Sequence, residues 1–234
     1  MSITLSPAFL HALNLLEQGP DSLFITGRAG TGKSTLLSHF KHTTSQKVVI
    51  LAPTGVAAVN IGGATIHSFF GFKPDITLEK AWALGAKTKK ADLYRALDAI
   101  VIDEISMVRA DLLDCIDAFM RRVVGTSHPF GGKRVIFFGD LYQLPPVVTR
   151  DEATIFSSRY SSPFFFSADV MSRLALTYLE LTHIYRQTDD DFIAVLNAIR
   201  ENVATPAHLA LLNTRLNEDY APPPEEYLIY LTGT

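Results

Sequence analysis

The sequence predicts an α/β fold, a mainly parallel sheet flanked by helices, on three observations. First, KVVILA (47–52), DAIVID (98–103) and KRVIFF (133–138) are β-branched apolar runs without polar alternation, the pattern of strands buried on both faces. Second, helix-period stretches fall between these runs, so strand and helix alternate along the chain. Third, a glycine-rich loop, GRAGTGKS (27–34), sits between an apolar run and a helical pattern, where a parallel strand hands over to the helix behind it.

The elements follow in order. Ser6 precedes Pro7, and Phe9, Leu10, Leu13 and Leu16 recur at helical spacing before Gly19 and Pro20. These are the start, face and stop of a capped amphipathic helix. SLFIT is a short strand ending at Gly27, and KSTLLSHF is a helix with Leu36, Leu37 and Phe40 on one face. Residues 73–97 break the alternation, with lysines scattered around the sole tryptophan, Trp82, and read as an insertion. Leu112, Leu113, Ile116, Phe119, Met120 and Val123 make a helical stripe, whereas 151–173 has no clean period and reads as irregular connection. LALTYLEL is a further strand. Helices follow over 191–200, with Phe192, Val195, Leu196 and Ile199 inward, and over 207–216. Pro222 to Pro224 form a stiff linker before a last apolar run, YLIYLT. No repeat or low-complexity tract interrupts what reads as one domain, 1–234, with its insertion at 73–97.

Composition sets limits on function. At 47% hydrophobic and 19% charged residues, the chain fits neither the disordered nor the fibrous class. Twenty-one Lys and Arg against 24 Asp and Glu give a net charge of −3, which excludes gripping nucleic acid by bulk charge; any such path must be local. One cysteine excludes a disulfide framework and a cysteine-rich zinc site, and suits a reducing cytosol. No apolar run approaches the roughly 18 residues of a membrane span, and the N-terminus lacks the basic flank of a signal peptide. A cytoplasmic protein without a membrane partner is expected.

GRAGTGKS matches the phosphate-binding pattern of two glycines with four residues between them, followed by Lys and Ser. Glycines let consecutive backbone N–H groups turn onto phosphate oxygens at the positive end of the next helix. Gly27, Ala29, Gly30, Thr31, Gly32, Lys33, Ser34 and Thr35 are the candidate nucleotide contacts. Lys33 reaches the β- and γ-phosphates, and the Ser34 hydroxyl ligates Mg²⁺. AIVIDEIS supplies the complement, an apolar strand ending in Asp103 and Glu104. Adjacent side chains at a strand end diverge, so Asp103 is assigned to magnesium and Glu104 to general base. ATP and Mg²⁺ are the expected cofactors, and hydrolysis is favoured over transfer.

Three more segments narrow the reading: APTGVAAVNIGGATIHSFFGF, FFGDLYQLPPVV and LELTHIYRQTDDDFIAVLNAIR. With GRAGTGKS and IDEISMVRADLLDCIDAFMR they resemble, in order and spacing, the Pif and RecD branch of superfamily 1 DNA helicases. EISMVRADLLDCIDAFMRR looks like the signature segment of the Pif family itself. The resemblance implies a RecA-like P-loop NTPase lobe that drives 5′ to 3′ movement on single-stranded DNA, in replication, repair, recombination or telomere maintenance. It also implies that Gln143 senses the γ-phosphate and links it to DNA, and that Arg186 is a γ-phosphate arginine, completing a catalytic set with Lys33 and Glu104. Chemistry agrees, since an amide can report the terminal phosphate and a guanidinium can neutralise charge developing during transfer.

On the same resemblance the DNA path includes Thr54, Gly55, His67, Ser68 and Phe69. An exposed Phe69 or Phe70 would give a base a stacking platform, although two adjacent phenylalanines cannot both face one way and burial competes. The family places a small wedge subdomain at 73–97, where Lys73, Lys80, Lys87, Lys89 and Lys90 form either a basic rim or a solvated face. The chain ends at LTGT, where the family enters its second RecA-like lobe, so one lobe is expected, incomplete as a motor and completed by a second lobe or a partner protein. The alternatives are a P-loop nucleotide transferase and a non-catalytic binding or regulatory module.

Overall fold

Strand and helix alternate from the start of the chain: α1 (Pro7–Gln18), β1 (Ser22–Gly27), α2 (Lys33–Thr43), β2 (Val48–Ala52), α3 (Gly55–Asn60), β3 (Ala64–Thr65), α4 (Ile66–Phe70), α5 (Leu78–Lys87), α6 (Ala91–Ala96), β4 (Ala99–Ile102), α7 (Ala110–Val124), β5 (Arg134–Gly139), α8 (Arg150–Ser157) and β6 (Leu176–Leu181). This computed structural model describes residues 6–185, 189–217 and 220. It divides into two units, Met1–Arg186 and Gln187–Thr234. The second holds α9 (Asp190–Arg200) and α10 (Pro206–Asn213); Asp189 caps α9 by accepting from the Phe192 N–H.

In the first unit six strands form one sheet in the order β3-β2-β4-β5-β1-β6, every pairing parallel, as the non-alternating apolar runs predict. The register explains why those runs are apolar at every position. Ile50, Val101, Ile136 and Leu23 align across four strands, and so do Leu51, Ile102, Phe137 and Phe24. Side chains alternate between faces along a strand, so the first row enters a core with Phe9, Leu16, Leu36 and Phe40 of α1 and α2. The second row enters another core with Leu113, Ile116 and Phe119 of α7. Both faces are covered, and no strand position in those rows is left for a polar side chain.

Ser6 caps α1 as expected, accepting from the Phe9 N–H at 3.3 Å. Its other end is closed from β5, where the Arg134 guanidinium donates to the Leu15 and Leu16 carbonyls, each at 2.6 Å. A cation at a helix C-terminus satisfies orphan carbonyls and suits the dipole.

The segment 73–97 folds as α5 and α6 laid on α7. Ala81 and Tyr94 are buried, and Gly85 meets α7 so closely that a Cβ would stand 2.8 Å from the Phe119 carbonyl oxygen. Only 158–173 of the expected irregular connection is irregular, with two short 3-10 turns; 150–157 is α8. Its capping box joins Thr149 and Glu152, a signal present in the sequence but outweighed by the lack of an apolar period. The linker at Pro222 to Pro224 and the run YLIYLT lie outside the described residues. No helix among the described residues is long and apolar enough to cross a membrane.

Candidate nucleotide and nucleic-acid site

The glycine loop joins the C-terminal end of β1 to α2, and its geometry follows from its composition. Gly27 lies so near β6 that a Cβ would stand 2.5 Å from the Leu181 carbonyl oxygen, and Gly32 precedes α2 at φ +90°. A side chain is excluded at the first and strained at the second. Thr31 is buried and donates to the Arg28 carbonyl at 2.8 Å, bracing the loop from within. The Lys33 ammonium folds back onto the carbonyls of Gly27 (2.5 Å) and Arg28 (3.2 Å), which holds a cation over the loop where phosphate oxygens are expected. Ser34 and Thr35 are exposed on the first turn of α2, and Ala29 is exposed at the loop tip.

Asp103 and Glu104 follow β4. Asp103 is buried, and its carboxyl is pushed up to about 6: burial is the main cause and the neighbouring Glu104 charge adds, while the Glu104 N–H and Lys33 oppose. Glu104 sits at φ 51°, ψ 43°, a left-handed conformation that costs a non-glycine residue about 1 kcal/mol or more and concentrates at functional sites. A cavity of about 640 Å³ joins Ser34, Asp103, Glu104, Gln143 and Thr54. The candidate metal ligands, the candidate base and the candidate sensor amide therefore line one space.

Sequence reasoning missed three contributors. Asp140, buried at the end of β5, accepts from the Tyr142 N–H (3.1 Å) and from the Gln143 side-chain amide (3.4 Å), fixing the loop that carries Gln143; its place in GDLYQ is the signal that was available. Ser106 is fully buried and lines the cavity, and its hydroxyl has no hydrogen-bond partner among the described residues. Lys41 donates to the carbonyls of Ile61 and Gly62 and lines the same cavity; nothing in its sequence context marks it. Arg186 lies outside the described residues, while the N–H of Tyr185 bonds the Gly30 carbonyl at 2.8 Å.

The donor set suits Mg²⁺ held with nucleotide phosphates. The described residues contain no cluster of three or more His, Cys, Asp or Glu able to cage a metal, but Ser34 and Asp103 offer two hard oxygens on one cavity. Mg²⁺ takes one or two protein oxygens and leaves the rest to phosphates and water. Asp103, whose proton affinity burial has raised, is a carboxylate short of positive charge, and the orphan Ser106 hydroxyl leaves a hydrogen bond to be made.

The candidate DNA residues occupy two places. Thr54 caps α3 by accepting from the Ala57 N–H at 3.2 Å, Gly55 is exposed with open space about it, and Thr54 lines the 640 Å³ cavity. His67, Ser68 and Phe69 lie on α4. Burial lowers the pKa of half-buried His67, favouring the neutral ring. Exposed Ser68 donates its hydroxyl to the Thr65 carbonyl at 3.2 Å. Phe70 is buried, as the two-phenylalanine argument expects of one, and Phe69 is half-buried with its ring edge-on to Phe70 and Tyr94. Ser68 and Phe69 line a second cavity of about 280 Å³.

Known proteins are similar to this chain in sequence and fold. The model of the family described as PIF1-like helicase matches residues 9–205. The ATP-dependent DNA helicase RRM3 of Saccharomyces cerevisiae is 34% identical over 89% of this chain and 29% of its own length. The ATP-dependent DNA helicase Pif1 of Bdellovibrio bacteriovorus is 35% identical over 92% and 48% respectively. A crystal structure of Pif1 helicase from Bacteroides in complex with ADP-AlF3 and ssDNA is 39% identical, with a TM-score of 0.85 over 94% of this chain and 52% of that one. The chain thus spans between about a quarter and about half of the relatives it matches. The parallel sheet with its phosphate loop is a RecA-like helicase fold, and the chain belongs to the PIF1-like helicase family.

Proposed function

We propose that this chain is the ATP-binding and hydrolysing lobe of a 5′ to 3′ DNA helicase acting on single-stranded DNA. The observation that carries the reading is the cavity of about 640 Å³ that joins Ser34, Asp103, Glu104 and Gln143 with Thr54, because it puts groups for metal, water and γ-phosphate beside a candidate DNA contact. The phosphate loop would hold the triphosphate, with Lys33 exchanging its loop carbonyls for the β- and γ-phosphates. Ser34 and Asp103 would hold Mg²⁺, which when bound spreads the charge of those phosphates. Glu104 takes the proton of the attacking water. Gln143, steadied by Asp140, reads the terminal phosphate, and Arg186 neutralises charge that develops on it. The Bacteroides relative in complex with ADP-AlF3 and ssDNA supports both ligands, and the family points to roles in DNA replication, repair or recombination.

The test is thermal stability with saturating MgATP, together with the ATPase rate with and without single-stranded DNA. Wild type and Glu104→Gln should both be stabilised by MgATP, because a ligand of the native state raises its stability. Lys33→Ala should lose most of that shift, and Glu104→Gln should lose hydrolysis alone. Equal MgATP affinity in wild type and Lys33→Ala would overturn the assignment.

A further inference from the structure

The turn between α5 and α6 reads AKTKK, residues 86–90, and takes no part in the nucleotide site. The second cavity, of about 280 Å³, is lined by Lys87, Thr88, Lys89 and Lys90 from this turn together with Ser68, Phe69 and Gly71. Its floor includes Phe70, Tyr94 and Phe119, all buried, and the Tyr94 hydroxyl is committed to the Phe69 carbonyl at 2.8 Å. Lys87, Lys89 and Lys90 are exposed, and no carboxylate lies within ion-pair distance of their ammonium groups among the described residues. Lys80, in the same segment, is different: it is tied to Asp75. Residues 73–97 carry six Lys and Arg against three Asp and Glu, in a chain whose net charge is −3, so positive charge is concentrated here against the trend of the molecule.

We propose that Lys87, Lys89 and Lys90 contact the phosphates of single-stranded DNA that leaves the α4 segment at Ser68, extending the strand's track across the α5–α6 turn. This rests on the DNA reading above. Three exposed cations with no ion-pair partner among the described residues, lining one cavity with the exposed Ser68, suit a phosphate backbone. The aromatic floor is too buried to stack bases, so the contact is blind to sequence. Each phosphate neutralised on a single strand contributes about 0.7 to the slope of log affinity against log salt, and three contacts therefore contribute about 2.

The experiment is fluorescence anisotropy of a labelled oligothymidine with the 234-residue chain across a salt series. A variant carrying Lys87→Ala, Lys89→Ala and Lys90→Ala should bind more weakly at low salt, with its slope shallower by about 2. Lys80→Ala should keep the wild-type slope, and oligothymidine and mixed-sequence strands should lose affinity equally in the triple variant. An unchanged slope in the triple variant, or the same fall in Lys80→Ala, overturns the proposal while leaving the rest of the DNA reading in place. Absence of binding by wild type overturns both, and a MgATP thermal shift that persists in that case confines the failure to DNA.

Discussion

Among the buried carboxylates of this molecule, the one at the end of β4 and those along α7 are treated in opposite ways. At the end of β4, Asp103 faces a cavity, beside an orphan hydroxyl and a strained glutamate. Along α7, Asp114 accepts from the Tyr160 hydroxyl (2.9 Å) and the N–H groups of Asp169 (3.0 Å) and Val170 (2.9 Å). One turn on, Asp117 accepts from the Phe130 N–H at 2.7 Å and from Arg173 at 3.3 Å. Arg121 Nε lies 2.9 Å from it as an ion pair, too bent to be a hydrogen bond. Buried carboxylates need such partners. The α7 pair is closed to any ligand because its lone pairs are spent on the chain, stapling the turns around 130 and 169 to the helix. The β4 pair is open because the chain leaves it incomplete. The number of internal partners, more than burial, separates a staple from a site.

The largest break in this comparison comes from Asp117→Ala. It leaves a buried N–H and two guanidinium groups without their shared acceptor, and such losses add desolvation to the missing bond. Arg121 and Arg173 are partly solvated, which trims the effect to about 3 kcal/mol. Urea unfolding measures it; a loss within the ordinary surface range of about 0.5 kcal/mol would mean that the staple is ornamental. Asp103→Asn should behave in the opposite sense. Removing an under-partnered buried charge should leave the ligand-free chain as stable as wild type or more so, by up to about 2 kcal/mol, while the MgATP-induced thermal shift collapses. Strong destabilisation without ligand would place Asp103 among the staples.

The same contrast decides what could be read in advance. Lys33, Ser34, Asp103 and Glu104 were nameable as candidates because a phosphate site is expected to use those types at that spacing, and the sheet was legible because strands buried on two faces carry apolar residues at every position. Asp114 and Asp117 were not, because an acid on an otherwise amphipathic helix reads as its solvent side; their hydrogen-bond partners lie 13 to 56 residues away, and only the fold brings these together. Ser106 was illegible for the complementary reason, since an absent partner leaves no trace in a sequence. The short α3 and α4 were masked by Gly55 and Gly71 at their ends, although Thr54 and Thr65 cap them. His67 and Phe69 were named through family likeness rather than through any local pattern.

The smallest expected effect tests whether partners without burial suffice to make a staple. Glu152 is wired as fully as Asp114, accepting from the Thr149 N–H (3.1 Å) and hydroxyl (2.8 Å) and from Arg109 at 3.0 Å, but its side chain is 45% exposed. Those donors, Thr149 before Arg109, pull its carboxyl down to about 2. A carboxyl with a depressed folded-state pKa stabilises the fold above its unfolded value and loses that contribution as pH falls through the folded one. Wild type should therefore melt slightly above Glu152→Gln at pH 7, and the gap should close between about pH 4.5 and pH 2. Solvent screens an exposed pair, so the gap should be well below that of Asp117→Ala. A gap of equal size at pH 7 and pH 2 would assign the effect to the shape of the side chain rather than its charge. A gap as large as that of Asp117→Ala would show that partners alone set the magnitude, leaving burial no part in making a staple.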